Sequence, residues 1–153
     1  MRESGNRKVE DTIRVLLVDD HAILREGLAS LMEKQPDLVV VGEAESGEES
    51  LVQAESLRPD VVIMDIRLQG ISGIEACRML KERLPGIKVI LLSMYEDHEY
   101  VHRALQVDAD GYLLKKVASF ELVDAVRKVY RGERAFSPQI LDAIVEMARE
   151  GDL

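Results

Sequence analysis

Short apolar runs alternate along the chain with segments whose apolar residues recur at helical spacing. Brief runs rich in Val, Ile and Leu, separated by helical patterns, are typical of the buried strands of a parallel sheet. The pattern therefore predicts five strands alternating with five helices, a doubly wound α/β domain. The strands are expected at residues 13–18, 38–41, 61–64, 89–92 and 112–114.

Capping signals support the predicted helices. Ser46 stands three residues before Glu49, and Ser72 three before Glu75, which is the spacing of a capping box at a helix start. After residue 132, Ser137 and a proline at the next position open a further helix. Its apolar stripe (Ile140, Ile144, Met147) requires a surface against which to pack.

Polar side chains follow the strands where each one ends: Asp19 and Asp20, Asp65, Ser93 and Lys115. Ligands of such sheets bind outside the carboxyl ends of the strands, so these groups are expected to converge. Three neighbouring carboxylates repel one another unless a cation holds them, and oxygen ligands suit Mg²⁺. A carboxylate is also a nucleophile toward phosphorus. The simpler alternative is that the lysine only pairs with a carboxylate and the first two acids only cap the next helix.

Composition narrows the function classes. The net charge of −9 argues against nucleic acid binding by this chain alone, and against docking on anionic membranes. No run approaches the ~20 apolar residues of a membrane span, so a cytoplasmic protein is expected. Cys77 lies in a helical apolar pattern and is predicted to be a core thiol.

Histidines give two weaker signals. The segment from His98 to His102 matches H-E-x-x-H, a zinc metalloprotease pattern. No third ligand accompanies it, so a chance match is the better interpretation. His21, beside the acidic pair, suggests either a proton relay or a solvated histidine at a helix start.

The chain resembles the receiver domain of two-component response regulators. The resemblance lies in the order of the strand-end residues and in the sequences of segments 15–21, 64–67, 92–94 and 110–115. Within that family, these segments look like the LuxR/FixJ-type, NarL-like branch, and the resemblance covers about residues 12–132. It implies a flavodoxin-like sheet of strand order 2-1-3-4-5, with the helix after residue 132 added at the C-terminus.

The resemblance also implies roles for the site residues. Asp65 would accept a phosphoryl group from a histidine kinase, with only self-catalysed transfer and dephosphorylation as activity. Mg²⁺ would be the cofactor, held by Asp19, Asp20, Asp65 and the backbone carbonyl of Arg67. Ser93 and Lys115 would contact the phosphoryl group, and Tyr112 matches the switch aromatic of the family.

The implied organisation is a flexible tail (1–12), a receiver domain (13–132) and a C-terminal helix (133–153) that begins a linker to a helix-turn-helix output domain. DNA would be read only through that domain, and phosphorylation would promote a homodimer. A stand-alone receiver acting through protein contacts is the alternative, and a metal-dependent phosphatase and a pure interaction domain are the other classes.

The chain departs from the branch at Gln69, where proline is usual, and at Ser72, where the residue is often acidic. Met94 is larger than the residue common among receivers.

Overall fold

Helices and strands alternate along the chain in the computed structural model, which describes residues 12–94, 97–117 and 119–151. In chain order they are β1 (Ile13–Val18), α1 (Ala22–Glu33), β2 (Leu38–Ala44), α2 (Gly47–Leu57), β3 (Val61–Asp65), α3 (Gly73–Arg83), β4 (Lys88–Ser93), α4 (His98–Gln106), β5 (Gly111–Leu114), α5 (Ser119–Tyr130), β6 (Ala135–Phe136) and α6 (Pro138–Arg149). The predicted N-terminal tail, apart from Thr12, lies outside the described residues.

The strands form a single sheet in which every pairing is parallel, in the order β2-β1-β3-β4-β5-β6. The predicted α/β fold, its order 2-1-3-4-5 and the added C-terminal helix are confirmed. The sixth strand was not predicted, because two residues are too few to carry a recognisable hydrophobic period.

The helices cover both faces of the sheet, and alternate strand residues pack against each layer. α1 and α5 share one buried cluster with Val15, Leu17 and Ile63. α2, α3, α4 and α6 share the other with Leu16, Val18 and neighbouring strand residues. Burial on both faces explains why the strands are almost wholly apolar. Among the described helices, none has the length and apolar content that crossing a bilayer requires.

Side-chain caps fix the starts of α2 and α3 as the sequence predicted. The hydroxyl of Ser46 accepts a hydrogen bond from the Glu49 amide at 3.0 Å, and that of Ser72 accepts one from the Glu75 amide at 3.1 Å. Cys77 on α3 is fully buried, as expected of a core thiol, and burial raises its pKa to about 12.

The C-terminal helix α6 packs on α4 and β5. Its residues Ile140 and Met147 are almost completely buried in the cluster that also contains Tyr112 of β5 and Val101 of α4. The apolar stripe predicted from the sequence is therefore covered by the chain itself.

Candidate functional site

The register of the sheet brings the candidate residues to one edge. Val18 pairs with Met64, so the next residues along β1 and β3 are Asp19 and Asp65. Ser93 pairs with Leu114 at the adjoining ends of β4 and β5. Asp19, Asp65 and Ser93 are all at least 95% buried, so this edge holds polar groups that are shielded from solvent.

Lys115 joins two of the carboxylates. Its Nζ donates to Oδ2 of Asp65 at 2.9 Å and to Oδ2 of Asp19 at 3.3 Å. The Lys115 amide also donates to the carbonyl of Ser93 at 2.8 Å, which fixes the lysine at the end of β5. The ammonium group therefore lies between the ends of β1 and β3, within reach of anything bound to Asp65.

Burial and charge perturb both members of the pair. Desolvation raises the pKa of Asp65, and the hydrogen bond and charge of Lys115 offset that rise only in part. Burial lowers the pKa of Lys115, but its bonds to Asp65 and Asp19 outweigh the burial and leave the pKa raised. The lysine is thus a permanent cation, and an ionised Asp65 carries an electrostatic cost.

The acidic cluster has the geometry of a cation site. Ligand atoms from Asp19, Asp20, His21 and Asp65 all lie within 4.8 Å of one another. Within the described residues, Oδ1 of Asp20 is shielded from solvent and accepts no hydrogen bond; it lies 3.1 Å from Nδ1 of His21. A buried oxygen without a donor fits a metal ligand, and an all-carboxylate core fits a hard ion such as Mg²⁺.

His21 and Arg25 were not predicted to contact the acids, although His21 was noted beside them. The amide of His21 donates to Oδ1 of Asp19 at 2.8 Å, and its ring Nδ1 lies 3.2 Å from the same oxygen. The guanidinium of Arg25 donates to the backbone carbonyl of Asp19 at 2.6 Å. Spacing from a strand end gives no signal for such contacts, because they depend on how α1 leaves the strand.

The segment after β3 folds back over the end of the strand. The Arg67 amide donates to Oδ1 of Asp65 at 3.2 Å, and the amide of Gly73 donates to the carbonyl of Ile66 at 2.8 Å. The side chain of Arg67 is exposed. The backbone at residue 67 is thereby held next to the carboxylate of Asp65.

A hydrogen bond connects the remaining two candidates. The hydroxyls of Ser93 and Tyr112 are partners, and Tyr112 is fully buried, so that burial raises its pKa. The adjoining Met94 is largely exposed. The Ser93–Tyr112 contact links the site edge to the buried cluster beneath α4 and α6.

The H-E-x-x-H segment lies on α4, and its histidines do not belong to the acidic cluster. His98 approaches α6, with Nε2 3.4 Å from Oε1 of Glu146. The metal-compatible grouping found among the described residues is the one around Asp65.

Comparison with known proteins gives a consistent picture. Residues 15–127 match the response regulator receiver domain family. The response regulator protein VraR of Staphylococcus aureus is 42% identical over 130 residues, which are 85% of this chain and 62% of VraR. The chain thus spans less than two thirds of the length of the curated relatives it matches.

Solved structures agree on fold and branch. A two-component response regulator of the LuxR family from Aurantimonas sp. SI85-9A1 superposes with a TM-score of 0.85 at 36% identity, covering 90% of this chain and 98% of that one. A signal receiver domain described as that of NarL from Mycobacterium tuberculosis gives a TM-score of 0.78 at 32% identity, over 80% and 99% of the two chains.

Proposed function

This chain belongs to the response regulator receiver family, in its LuxR/NarL-like branch, and we propose that it is a phospho-acceptor switch whose acceptor is Asp65. The observation that carries the proposal is the buried carboxylate of Asp65 held between Lys115 and the acidic cluster. Asp65 ends the central strand β3, with the acidic pair after β1 on one side and Ser93 of β4 on the other, while the ammonium of Lys115 reaches both Asp65 and Asp19. That position makes it the carboxylate best placed for a reacting group.

The proposed reaction is an in-line transfer from a phosphohistidine of a kinase. A carboxylate oxygen of Asp65 attacks phosphorus, a P–O bond forms, and the P–N bond of the donor breaks. Nζ of Lys115 neutralises one phosphoryl oxygen, and the hydroxyl of Ser93 donates to another. Water later attacks the acyl phosphate, which gives self-catalysed dephosphorylation as the only other activity proposed.

Mg²⁺ is the proposed cofactor. Asp19, Asp20, Asp65 and the backbone carbonyl of Arg67 would hold it, and Oδ1 of Asp20, which is shielded from solvent and accepts no hydrogen bond within the described part of the chain, supports that assignment. When bound, the ion supplies positive charge for the phosphoryl oxygens and removes the repulsion between the carboxylates.

The proposed output begins at Ser93. If its hydroxyl turns toward the phosphoryl group, it leaves Tyr112, whose ring then takes a new position under α4 and α6. The altered face would control transcription through a LuxR-type DNA-binding domain after a boundary near residue 132, with residues 133–153 as the start of the linker. A stand-alone receiver that contacts other proteins is the alternative. The proposed partners are a histidine kinase and a second copy of the chain, in the cytoplasm.

Phosphorylation of Asp65 is tested by mass. Acetyl phosphate with Mg²⁺ should add one phosphoryl group to the wild type and none to Asp65→Asn. Asp124→Asn, on the exposed side of α5, is the matched control and should react like the wild type. Equal incorporation in Asp65→Asn would reject the acceptor assignment.

A further inference from the structure

The first turn of α2 contacts the segment that follows Asp65, residues 66–72, here called the acceptor loop. Oε2 of Glu48 accepts a hydrogen bond from the Ile71 amide at 3.1 Å, across 23 positions of sequence. The start of the loop is bonded to β4, since the Ile66 amide donates to the carbonyl of Leu92 at 3.0 Å, whereas the bond at Arg67 joins groups two residues apart. Glu48 therefore anchors the middle of the loop to a different element.

The fit between Glu48 and the loop depends on a special backbone conformation. Gly70 has φ of +78°, a region that favours glycine. A Cβ at this position would lie 2.5 Å from Oε1 of Glu48. The carboxylate thus occupies the space that a side chain at residue 70 would need, and the loop backbone lies directly against it.

The residues that precede Glu48 support its contact with the acceptor loop. Gly47 is buried, and a Cβ there would lie 2.5 Å from Cγ1 of Ile71. The cap from Ser46 fixes the start of the helix. Glu48 is therefore presented to the loop from a rigid element, with Ile71 packed beside it.

The loop itself has little intrinsic stiffness. Residue 69 is glutamine, so its backbone φ angle can vary in the metal-free protein, whereas a proline would fix this angle near −65°. Residue 70 is a glycine, the residue with the most conformational freedom. Each backbone residue that becomes ordered loses conformational entropy. A loop of this composition gains rigidity from contacts with other elements, and Glu48 supplies one at Ile71, four residues after Arg67.

We propose that Glu48 is a positioning residue for the phosphorylation site. It holds the acceptor loop, and with it the Arg67 carbonyl, in one position before the cation binds. Glu48 acts through Ile71 and does not touch the ion or the phosphoryl group. The inference rests on the proposed function, because it assigns the Arg67 carbonyl to the cation site.

Two substitutions separate the hydrogen bond from the charge. Glu48→Ala removes both, whereas Glu48→Gln keeps an acceptor oxygen for the Ile71 amide and removes only the charge. Loss of one hydrogen bond of ordinary net strength corresponds to about a three- to ten-fold change in an equilibrium constant. In calorimetric titration without phosphodonor, Glu48→Ala should raise the Kd for Mg²⁺ by about that factor, and Glu48→Gln should stay close to the wild type.

A second readout does not involve the metal. Amide exchange in residues 66–71 of the metal-free protein should become faster in Glu48→Ala and not in Glu48→Gln. Adding Gln69→Pro to Glu48→Ala should recover part of the Mg²⁺ affinity, since proline restricts the unbound loop. Glu55→Ala, an exposed position on α2 that faces Arg83, is the control for removing an acid from this helix.

The outcomes distinguish the positioning role of Glu48 from the proposed function of the chain. Unchanged Mg²⁺ affinity and loop exchange in Glu48→Ala, with a functional wild type, would overturn the positioning role. Equal losses in Glu48→Ala and Glu48→Gln would also overturn it, because charge alone would then account for the effect. A wild type that neither binds Mg²⁺ nor accepts phosphoryl from acetyl phosphate would instead reject the proposed function.

Discussion

The site contains more buried negative charge than its single lysine neutralises. Asp19 and Asp65 are both buried and share Lys115, while Asp20 faces His21. Buried charges are costly unless they are paired. This arrangement therefore lowers the stability of the metal-free protein and favours the binding of a cation. The excess of carboxylates is the physical reason to expect a strong preference for a divalent cation.

Asp65→Asn should therefore stabilise the metal-free protein at neutral pH. The folded-state pKa of Asp65 is raised by burial, so its favourable contribution is present below the unfolded pKa and is lost as the pH rises through the folded pKa. The asparagine carries no charge. The Asp65→Asn variant should therefore be more stable than the wild type at pH values above the folded-state pKa of Asp65, and this difference in stability should vanish below the unfolded-state pKa. Urea unfolding of the two proteins against pH is the measurement.

Asp124 is an exposed acid on α5 that pairs with Lys128 one helical turn further on. Its replacement in Asp124→Asn should leave the free energy of unfolding within about 0.5 kcal/mol of the wild type. Saturating Mg²⁺ should stabilise the wild type and reduce the advantage of the asparagine variant, since the ion binds the native state only. An Asp65→Asn variant that is less stable than the wild type at neutral pH without metal would contradict the electrostatic argument.

Position at a strand end was enough to predict which side chains meet at the edge, because parallel strands bring their carboxyl ends together. That rule predicts that Asp19, Asp65 and Lys115 lie at one edge, and their contacts depend also on the strand order, which the family resemblance supplied. The contact of Glu48 with the acceptor loop could not be predicted in this way. It depends on the angle at which α2 approaches the loop, and one exposed acid in the first turn of a helix usually signals only a favourable helix dipole.

At the level of elements, α6 occupies the face through which the proposed switch would act. Ile140 and Met147 are buried in the cluster that contains Tyr112. Burying a side chain such as Ile140 is worth about 1.5–3 kcal/mol. His98 and Glu146 add a contact near the exposed rim. A displacement of Tyr112 therefore cannot occur without repacking against α6.

Beryllofluoride with Mg²⁺, a mimic of the phosphorylated state, should change the protection of α6. If Tyr112 repacks, the contacts of Ile140 and Met147 weaken, and hydrogen exchange in residues 138–149 should become faster. Asp65→Asn should show no response, and Ser93→Ala should bind the mimic yet respond weakly. Identical α6 exchange with and without beryllofluoride in the wild type would show that this helix takes no part in the switch.

At the scale of the whole molecule, the alternation of buried strands and amphipathic helices predicted the architecture because each strand is covered on both faces. The sheet order followed from the family resemblance and is confirmed. Where α6 would pack was not predictable, since an apolar stripe specifies burial and not a partner. The two-residue β6, paired beside β5, leads the chain into α6.

The proposed homodimer must overcome the net charge of −9. Two copies repel at low ionic strength, and salt screens that repulsion. Ile23 on α1 is 83% exposed and Phe120 on α5 is 75% exposed, so each offers a large apolar side chain to such a contact. Sedimentation should show a monomer without beryllofluoride. With beryllofluoride and Mg²⁺ it should show a dimer whose population rises as NaCl increases from low to physiological concentration.

Asp65→Asn should remain monomeric throughout, and Ile23→Glu should weaken the dimer if α1 lies in the contact. A wild type that stays monomeric with beryllofluoride at concentrations on the order of 100 μM, about a hundred times a micromolar Kd, would exclude self-association as the output and leave contacts with other proteins or domains to transmit the signal.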